Sequence, residues 1–276
     1  RAFVFITSTR KFNITSRIIK TFHETAGFHG CALMLEGKNV SKRFGGVDAL
    51  KNVDFHVDEK EIVGLIGPNG AGKTTLFNLI SGIHRPDCGE ITFCDRKIVG
   101  LKPFKIRRMG IGRTFQIMKP FLKMTVLENV LVASLYGRNS LISMQDARME
   151  ALECLEFVGL KDKKAVQAVN LTLAERRALE IARALAAKPK LVLLDEVVAG
   201  LNPIETLNAM NLIKNIRDKL GLSVLWVEHV MKAIMNVCQR VIVLHQGEKI
   251  AEGPPQTIAK DESVIKAYLG DVYAHA

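Results

Sequence analysis

The chain has 276 residues, of which 48% are hydrophobic and 24% charged, so it can bury one large core and is neither disordered nor fibrous. No uncharged apolar run approaches the roughly 20 residues that cross a bilayer as a helix. The net charge is +11, but residues 1–30 carry five basic residues against one acid. The rest is therefore only moderately basic, and we expect no nucleic-acid partner.

The first 32 residues differ from the rest in composition. They are rich in Ser, Thr and Arg, poor in acids, and faintly similar to an organellar transit segment. We interpret residues 1–32 instead as an N-terminal extension, disordered or non-native, and expect folding to begin near Met34. Two β-branched runs between Met34 and Gly67 then predict strands.

Beyond these runs, strand-like and helix-like segments alternate, which predicts a parallel sheet covered by helices. The predicted strands are Ile62 to Ile66, Ile111 to Phe115, Leu191 to Leu194, Ser223 to Val227 and Val241 to Leu244. The predicted helices are Lys73 to Ser81, Val126 to Leu135, Ser143 to Phe157, Thr172 to Ala187, Pro203 to Lys219 and Glu262 to Leu269. Residues 117–170 show almost only helical patterns and no strand signal, so we expect them to form a helical subdomain inserted into the sheet domain.

The five cysteines are scattered and odd in number, and none belongs to a C-x-x-C pair. This pattern indicates neither a disulfide framework nor a zinc site. We expect buried, reduced thiols at Cys31, Cys88, Cys94, Cys154 and Cys238.

A glycine-rich segment, GPNGAGKTT, matches the pattern G-x-x-x-x-G-K-[ST] between an apolar strand and a helix. Its glycines let the backbone aim N–H groups at phosphate oxygens, and the helix N-terminus adds to them. Lys73 would bind the β- and γ-phosphates, and the Thr74 hydroxyl would bind Mg²⁺. The predicted nucleotide-binding residues of this loop are Gly67, Pro68, Asn69, Gly70, Ala71, Gly72, Lys73, Thr74 and Thr75.

The segment LVLLDE supplies two acids at the end of a buried strand. Because α/β sheets bind ligands at the carboxyl ends of their strands, we expect both acids beside the phosphates. Asp195 would hold Mg²⁺, through water, and Glu196 would polarise the attacking water. The alternative, an ordinary solvated strand end, is disfavoured once the glycine loop is present.

Further segments narrow the family, because phosphate loops also occur in GTPases, kinases and helicases. No N-K-x-D stretch for guanine is present, whereas Phe44, GRTFQ, NLTLAERRALEIARAL, AGLNP and VEH follow in that order. Across residues 35–270 this order resembles the ATP-binding cassette family. The resemblance implies a P-loop NTPase (RecA-like) α/β core with an antiparallel β subdomain and an inserted α-helical subdomain, in one ATPase domain at residues 33–272.

The resemblance also implies roles for three single residues. Phe44 would stack on adenine, Gln116 would link Mg²⁺ and the attacking water to the helical subdomain, and His229 would hydrogen-bond the γ-phosphate. Glu196, His229 and Gln116 are thus the expected catalytic residues, and Thr74, Gln116 and Asp195 the expected Mg²⁺ ligands. The alternatives are a core position for Phe44 or His229 and a surface position for Gln116.

The signature segment departs from the family's usual LSGGQ. In such ATPases it reaches across a dimer to the partner's ATP. Thr172 keeps the hydroxyl, but Ala174 adds a methyl where glycine is usual, and Asn202 and Val197 replace the usual Asp and Pro. Thr172 and Glu175 could also form a capping box, and both roles can hold at once. The expected signature residues acting in trans are Thr172, Leu173, Ala174 and Glu175.

Within the family, the chain most resembles ATP-binding subunits of branched-chain amino acid importers. The segments KRFGGVDALKNVDF, GIGRTFQIMKPFLKMTVLENV and IAEGPPQTIAKDESVIKAYLG carry this resemblance. It implies that ATP hydrolysis, with Mg²⁺ as cofactor, powers the uptake of branched-chain, hydrophobic amino acids. The subunit would lie at the cytoplasmic face of the inner membrane. The implied partners are a second ATPase subunit, identical or not, two transmembrane permease subunits and, indirectly, a solute-binding protein.

Two alternative functions stay open. The chain could serve another transporter, or it could be a regulatory subunit that hydrolyses ATP weakly, as Leu173 and Ala174 suggest. DNA repair or translation is disfavoured, because repair members carry long coiled coils and translation members carry two cassettes per chain.

Overall fold

The computed structural model describes residue 22 and residues 33–116, 118–138 and 141–269. Apart from residue 22, the predicted N-terminal extension lies outside the described residues, as does Cys31. Two sheets and the helices around them make up the described chain. The strands are β1 (Leu35–Phe44), β2 (Val47–Val57), β3 (Ile62–Ile66), β4 (Cys88–Phe93), β5 (Arg96–Lys97), β6 (Ile111–Arg113), β7 (Leu191–Asp195), β8 (Ser223–Val227), β9 (Arg240–His245) and β10 (Glu248–Gly253).

The helices fall where the alternating pattern predicts most of them. They are α1 (Lys73–Ile80), α2 (Pro103–Met109), α3 (Val126–Tyr136), α4 (Met144–Phe157), α5 (Leu173–Leu185), α6 (Pro203–Leu220), α7 (Met231–Val237), α8 (Pro255–Ile258) and α9 (Glu262–Leu269). In the part of the chain described here, none of them is long and apolar enough to cross a membrane.

The larger sheet has the strand order β10-β9-β3-β8-β7-β6. Its strands pair in parallel except at β10, which runs antiparallel to β9. Every residue of β3, β7 and β8 is buried, as expected for central strands covered on both faces. Leu65 and Asp195 both pair with Val227, so the carboxyl ends of these three strands meet at one edge.

The smaller sheet is antiparallel, with the order β2-β1-β4-β5. Phe55 and Phe93 from this sheet share a buried cluster with Leu65 of β3 and Phe77 of α1. The predicted antiparallel β subdomain is therefore present, and the mixed fold agrees with the expected P-loop NTPase architecture.

Helices and two 3₁₀ turns, Lys161–Lys163 and Ala168–Asn170, fill the chain between β6 and β7. Helices α3 and α4 both begin at a side-chain cap, Thr125 and Ser143 respectively. Both pack against α5, which leads back to the sheet at β7.

Two sequence predictions need correction. The strand expected to reach Phe115 ends at Arg113: the Thr114 N–H still donates to Leu193 of β7, but Phe115 is 43% exposed and does not continue the buried strand. Of the cysteines in the described residues, Cys154 and Cys238 are free and buried, as expected, whereas Cys94 is half-buried and Cys88 is exposed on β4. Burial raises the pKa of the Cys154 thiol to about 12.

Candidate functional site

A cavity of about 590 Å³ opens at the edge where β3, β7 and β8 end. It brings together residues from segments more than 150 positions apart in the chain. Its lining combines the glycine loop, the predicted catalytic residues and part of β2. The lining residues are Val47, Asp48, Ala49, Lys51, Asn69, Gly70, Ala71, Gly72, Lys73, Thr74, Thr75, Gln116, Glu196, His229 and Gln246.

The glycine loop is closely packed against its neighbours. A Cβ on Gly67 would lie 2.1 Å from the carbonyl oxygen of Leu244, and one on Gly72 would lie 2.6 Å from that of Ala49. Gly72 has a φ of 105° and precedes α1, so no side chain caps the first N–H groups of that helix. These N–H groups are available to an anion in the cavity.

Lys73 is the positive charge of the loop, and only 6% of it is exposed. Its Nζ donates to the carbonyl oxygens of Gly67 and Pro68, at 2.7 and 2.8 Å. Burial lowers the pKa of Lys73, while the nearby Glu196 and Asp195 oppose that shift. Phosphate oxygens would give this ammonium stronger acceptors than two carbonyls.

Glu196 occupies the centre of the predicted catalytic group. Its carboxylate accepts a hydrogen bond from Gln116 Nε2 at 2.9 Å and lies 3.0 Å from His229 Nε2. Its φ is 49°, in the left-handed region that a residue with a Cβ enters at a cost of about 1–3 kcal/mol. The surrounding contacts hold this backbone so that the carboxylate points into the cavity.

Asp195 lies one residue earlier and is not among the lining residues. Only 1% of it is exposed, and its Oδ2 lies 3.3 Å from Nη2 of Arg113. Its backbone N–H donates to Thr114 Oγ1 at 3.0 Å. Burial raises the pKa of Asp195, and the Arg113 guanidinium opposes that shift.

The residues expected to hold Mg²⁺ offer only hard oxygen donors: a carboxylate, a hydroxyl and an amide oxygen. In the described chain no cluster of three His, Cys, Asp or Glu side chains could hold a metal by itself. The oxygen donors fit Mg²⁺, which takes one or two protein oxygens and completes its shell with phosphates and water. They do not fit a structural zinc site.

Glu228 is a buried acid that the sequence analysis missed. It precedes His229, is fully buried, and accepts hydrogen bonds from the backbone N–H groups of Val198 at 2.8 Å and His229 at 3.1 Å. Burial raises the pKa of Glu228, although backbone N–H groups oppose this. The carboxylate thus connects the loop after Glu196 to the loop of His229.

Phe44 lies outside the cavity lining, at the end of β1. It is 43% exposed, and its ring meets His84 edge to face at a centroid distance of 5.2 Å. Nearby, Val47, Asp48 and Ala49 of β2 line the cavity directly. Stacking of Phe44 on adenine stays a prediction.

The signature segment also lies outside this cavity. Thr172 is the N-cap of α5: its hydroxyl accepts from the Glu175 N–H at 3.3 Å, and the Glu175 carboxylate accepts from the Thr172 N–H at 3.0 Å. The capping-box alternative is therefore confirmed. Leu173 is 42% exposed, and Lys163 forms an ion pair with Glu175.

Asn202, which stands where the family usually has Asp, caps α6. Its Oδ1 accepts from the N–H groups of Ile204 and Glu205, both at 3.0 Å, and Pro203 takes the first helical position. Asn and Asp are equally good caps, so this departure leaves the helix start intact. Val197, the other departure, is buried in the core.

Known proteins match this chain over most of its length. The ABC transporter family matches residues 50–199, more than half of the chain. The chain belongs to the ABC transporter family. A second family, described as branched-chain amino acid ATP-binding cassette transporter, matches residues 248–274. As an ABC protein the chain is a nucleotide-binding ATPase, which confirms the family and the activity predicted from its motifs.

The relatives share both sequence and fold. The high-affinity branched-chain amino acid transport ATP-binding protein LivG of Salmonella typhimurium is 41% identical over 250 residues, covering 86% of this chain and 98% of the relative. A crystal structure of an ABC transporter cassette in its ADP conformation has a TM-score of 0.79 at 30% identity, covering 87% and 99%. A dimeric cassette bound to ADP and Pi has a TM-score of 0.73 at 30% identity, covering 80% and 99%.

The segment matched by the second family contacts the glycine loop. It contains β10 and α9, and burial raises the pKa of Tyr268 in α9 while the backbone N–H of Gly67 opposes this shift. Tyr268 of the C-terminal segment thus lies beside Gly67, the first residue of the glycine loop.

Proposed function

We propose that this ATPase powers the uptake of branched-chain, hydrophobic amino acids through separate permease subunits. Two observations support this: the 41% identity to LivG over most of both chains, and the match of residues 248–274 to the branched-chain family. The second carries more weight, because residues 50–199 match a family common to ABC transporters in general.

In this proposal the cavity binds ATP, with the phosphates on the glycine loop. Lys73 Nζ, which donates to the carbonyls of Gly67 and Pro68 at 2.7 and 2.8 Å, would exchange these acceptors for β- and γ-phosphate oxygens. The uncapped start of α1 receives the same anion. Phe44 stacks on the adenine ring beside this edge.

Glu196 acts as the general base, with the support of its two neighbours. A water between Glu196 and the γ-phosphate would transfer a proton to the carboxylate as it attacks. His229 and Gln116, at 3.0 and 2.9 Å from the carboxylate oxygens, orient it from opposite sides. We propose that His229 also donates a hydrogen bond to the γ-phosphate when ATP is bound.

Thr74, Gln116 and Asp195 would hold Mg²⁺ at the phosphates. When bound, the ion neutralises charge on the β- and γ-phosphate oxygens. Of the three residues, Thr74 and Gln116 already line the cavity, and Asp195, at the buried strand end, would reach the ion through water.

A second ATPase subunit completes the site. Thr172, Leu173, Ala174 and Glu175 lie outside this chain's own cavity and stay exposed or half-buried, so their N–H groups and hydroxyl can meet ATP bound by a partner. The dimeric structure of the related cassette supports this arrangement. Both an identical and a sister subunit fit.

Two permease subunits are the proposed membrane partners, at the cytoplasmic face of the inner membrane, with a solute-binding protein acting through them. A groove of about 410 Å³ beside the helical residues supports their docking. Phe115, Phe121 and Tyr136 line it and are 43%, 45% and 74% exposed. Exposed aromatic clusters of this kind mark protein contacts.

We also propose that residues 33–272 form one ATPase domain, with a helical subdomain at residues 117–170.

The transport assignment is tested with vesicles that carry the native complex purified through this chain. With ATP inside or outside as orientation requires, we expect uptake of labelled leucine, isoleucine and valine that stops without ATP. Vesicles with Glu196→Gln are the matched control and are expected to be inactive. ATP-driven movement of another solute only would reject amino acid import while keeping the ATPase.

A further inference from the structure

Arg113 is a buried charge between the nucleotide cavity and the proposed docking groove. It ends β6, and its side chain is only 8% exposed. A buried guanidinium needs several acceptors or charge partners to offset its lost hydration. The partners of Arg113 come from three different segments of the chain.

On the cavity side, Arg113 connects Asp195 to the helix that follows the glycine loop. Nη2 lies 3.3 Å from Asp195 Oδ2. Nη1 donates to Asn78 Oδ1 at 2.8 Å and to Ser81 Oγ at 2.7 Å, at the end of α1. Because α1 begins at Lys73, one guanidinium fixes Asp195 relative to the phosphate-binding helix.

The same guanidinium also contacts two aromatic rings, one in the core and one in the groove. It lies 5.5 Å from the ring centroid of Phe77, which is buried, and 5.1 Å from that of Phe115. Phe115 is 43% exposed and lines the groove together with Arg113 itself. A change in packing against Phe115 would therefore act directly on Arg113.

We propose that Arg113 is a positioning residue that sets the Asp195 carboxylate for Mg²⁺ and makes this setting depend on what packs against Phe115. The inference rests on the proposed function, in which Asp195 holds the metal. It adds a physical connection between the groove and the metal carboxylate that needs one side chain only. Lysine cannot replace it, because an ammonium lacks the planar fork that binds Asp195, Asn78 and Ser81 together.

The first test measures metal binding by the full chain carrying Arg113→Lys. Fluorescent ATP is bound in EDTA and then at increasing Mg²⁺, and Mn²⁺ bound with ATP is followed by electron paramagnetic resonance. We expect affinity without metal to stay within about twofold, and the Mg²⁺ concentration for half the effect to rise by at least about tenfold, as for residues that support metal ligands.

The second test uses two exposed aromatic residues as a matched pair. Phe115 and Phe104 are 43% and 51% exposed, and each has one arginine over its ring, Arg113 and Arg108, at 5.1 and 5.7 Å. We expect Phe115→Ala to raise the half-effective Mg²⁺ concentration severalfold and Phe104→Ala to leave it unchanged. Since both side chains are exposed, neither variant is expected to lose its fold.

The outcomes separate this inference from the proposed function. If the unaltered chain binds ATP with a Mg²⁺ dependence and the Phe115→Ala and Arg113→Lys proteins keep that dependence, the role of Arg113 is overturned and the ATPase site stands. If Arg113→Lys does not fold, Phe115→Ala alone decides. If the unaltered chain shows no Mg²⁺ dependence of ATP binding, both the metal assignment and the role of Arg113 are wrong.

Discussion

The nucleotide cavity and the signature segment are both expected to meet ATP, yet they are built differently. In the cavity, Glu196 is held by Gln116 and His229, which lie 80 and 33 residues away in the chain. In the signature segment, Thr172 and Glu175 bind each other across three residues at the start of α5. The cavity depends on the whole fold, whereas the signature segment is a local structure on the surface.

This difference teaches how the work is divided between two subunits. One chain brings the glycine loop, Glu196 and His229 together around one cavity without a partner. Its signature segment is a well-formed helix start, but within the described residues it faces no phosphate site of its own. The cavity should therefore bind ATP in the single chain, and hydrolysis should need a second copy or a sister subunit.

The largest effect is expected from Glu196→Gln, which tests whether the cavity supplies the general base. The amide keeps the size of the side chain but cannot take a proton from water. We expect turnover in the assembled dimer to fall about 10²- to 10⁴-fold while the Kd for ATP stays within about threefold. Phosphate release and equilibrium binding measure the two quantities. Unchanged turnover would show that another group is the base.

A smaller effect is expected from Glu228→Gln, which tests whether the two loops of the cavity act together. The amide can still accept one backbone N–H, but its own NH₂ group faces the other. We expect kcat to fall about tenfold with the KM for ATP nearly unchanged, since one buried bond of about 1–2 kcal/mol is lost.

The matched control for Glu228→Gln is Glu128→Gln. The Glu128 carboxylate also accepts a backbone N–H, from Thr125, but at the exposed start of α3. It is expected to leave kcat unchanged. An equal decrease of kcat in both variants would reject a role for Glu228 in positioning His229. A change in the KM for ATP without a change in kcat for Glu228→Gln would reject it as well.

The smallest effect is expected from a pair of cap variants that separates helix capping by the signature segment from a contact with the partner. Thr172 and Thr125 head the same kind of capping box on α5 and α3. Replacing either by Ala is expected to lower the free energy of unfolding by about 1 kcal/mol. Only Thr172→Ala is expected also to weaken ATP-dependent dimerisation, by several fold, because in the proposed dimer its hydroxyl contacts the phosphate of ATP bound by the partner.

Thermal unfolding and analytical ultracentrifugation with ATP and the Glu196→Gln background measure this pair. If Thr125→Ala weakens dimerisation as much as Thr172→Ala, the loss comes from stability and not from a contact in trans. The signature segment would then be only a helix cap.

Sequence patterns predicted the central sheet and the long helices closely, because these elements have strong apolar periodicity. The strands β3, β7 and β8 are nearly continuous apolar runs, and α6 begins at Pro203, where the predicted helix begins. The short elements α2, α7 and β4 were not predicted. Each has seven residues or fewer, and their few apolar positions give no clear period.

In the site, the glycine loop and Glu196 were predictable because each lies at a strand end with a recognisable spacing. The roles of Arg113 and Glu228 were not. Arg113 contacts a residue 82 positions away, and Glu228 one 30 positions away, so their partners follow from the strand order and not from local spacing. The left-handed backbone of Glu196 likewise depends on tertiary contacts that no propensity encodes.

ATP binding by the single chain tests the central claim most directly. Equilibrium binding of fluorescent ATP with Mg²⁺ is compared between the unaltered chain and Lys73→Ala. Because the variant lacks the Lys73 ammonium and its charge-assisted contacts to phosphate, we expect its affinity for ATP to be about 10- to 100-fold lower. Circular dichroism is expected to show that the variant keeps its fold. Equal affinity in both proteins, or no binding by the unaltered chain, would contradict the assignment of this cavity as the ATP site.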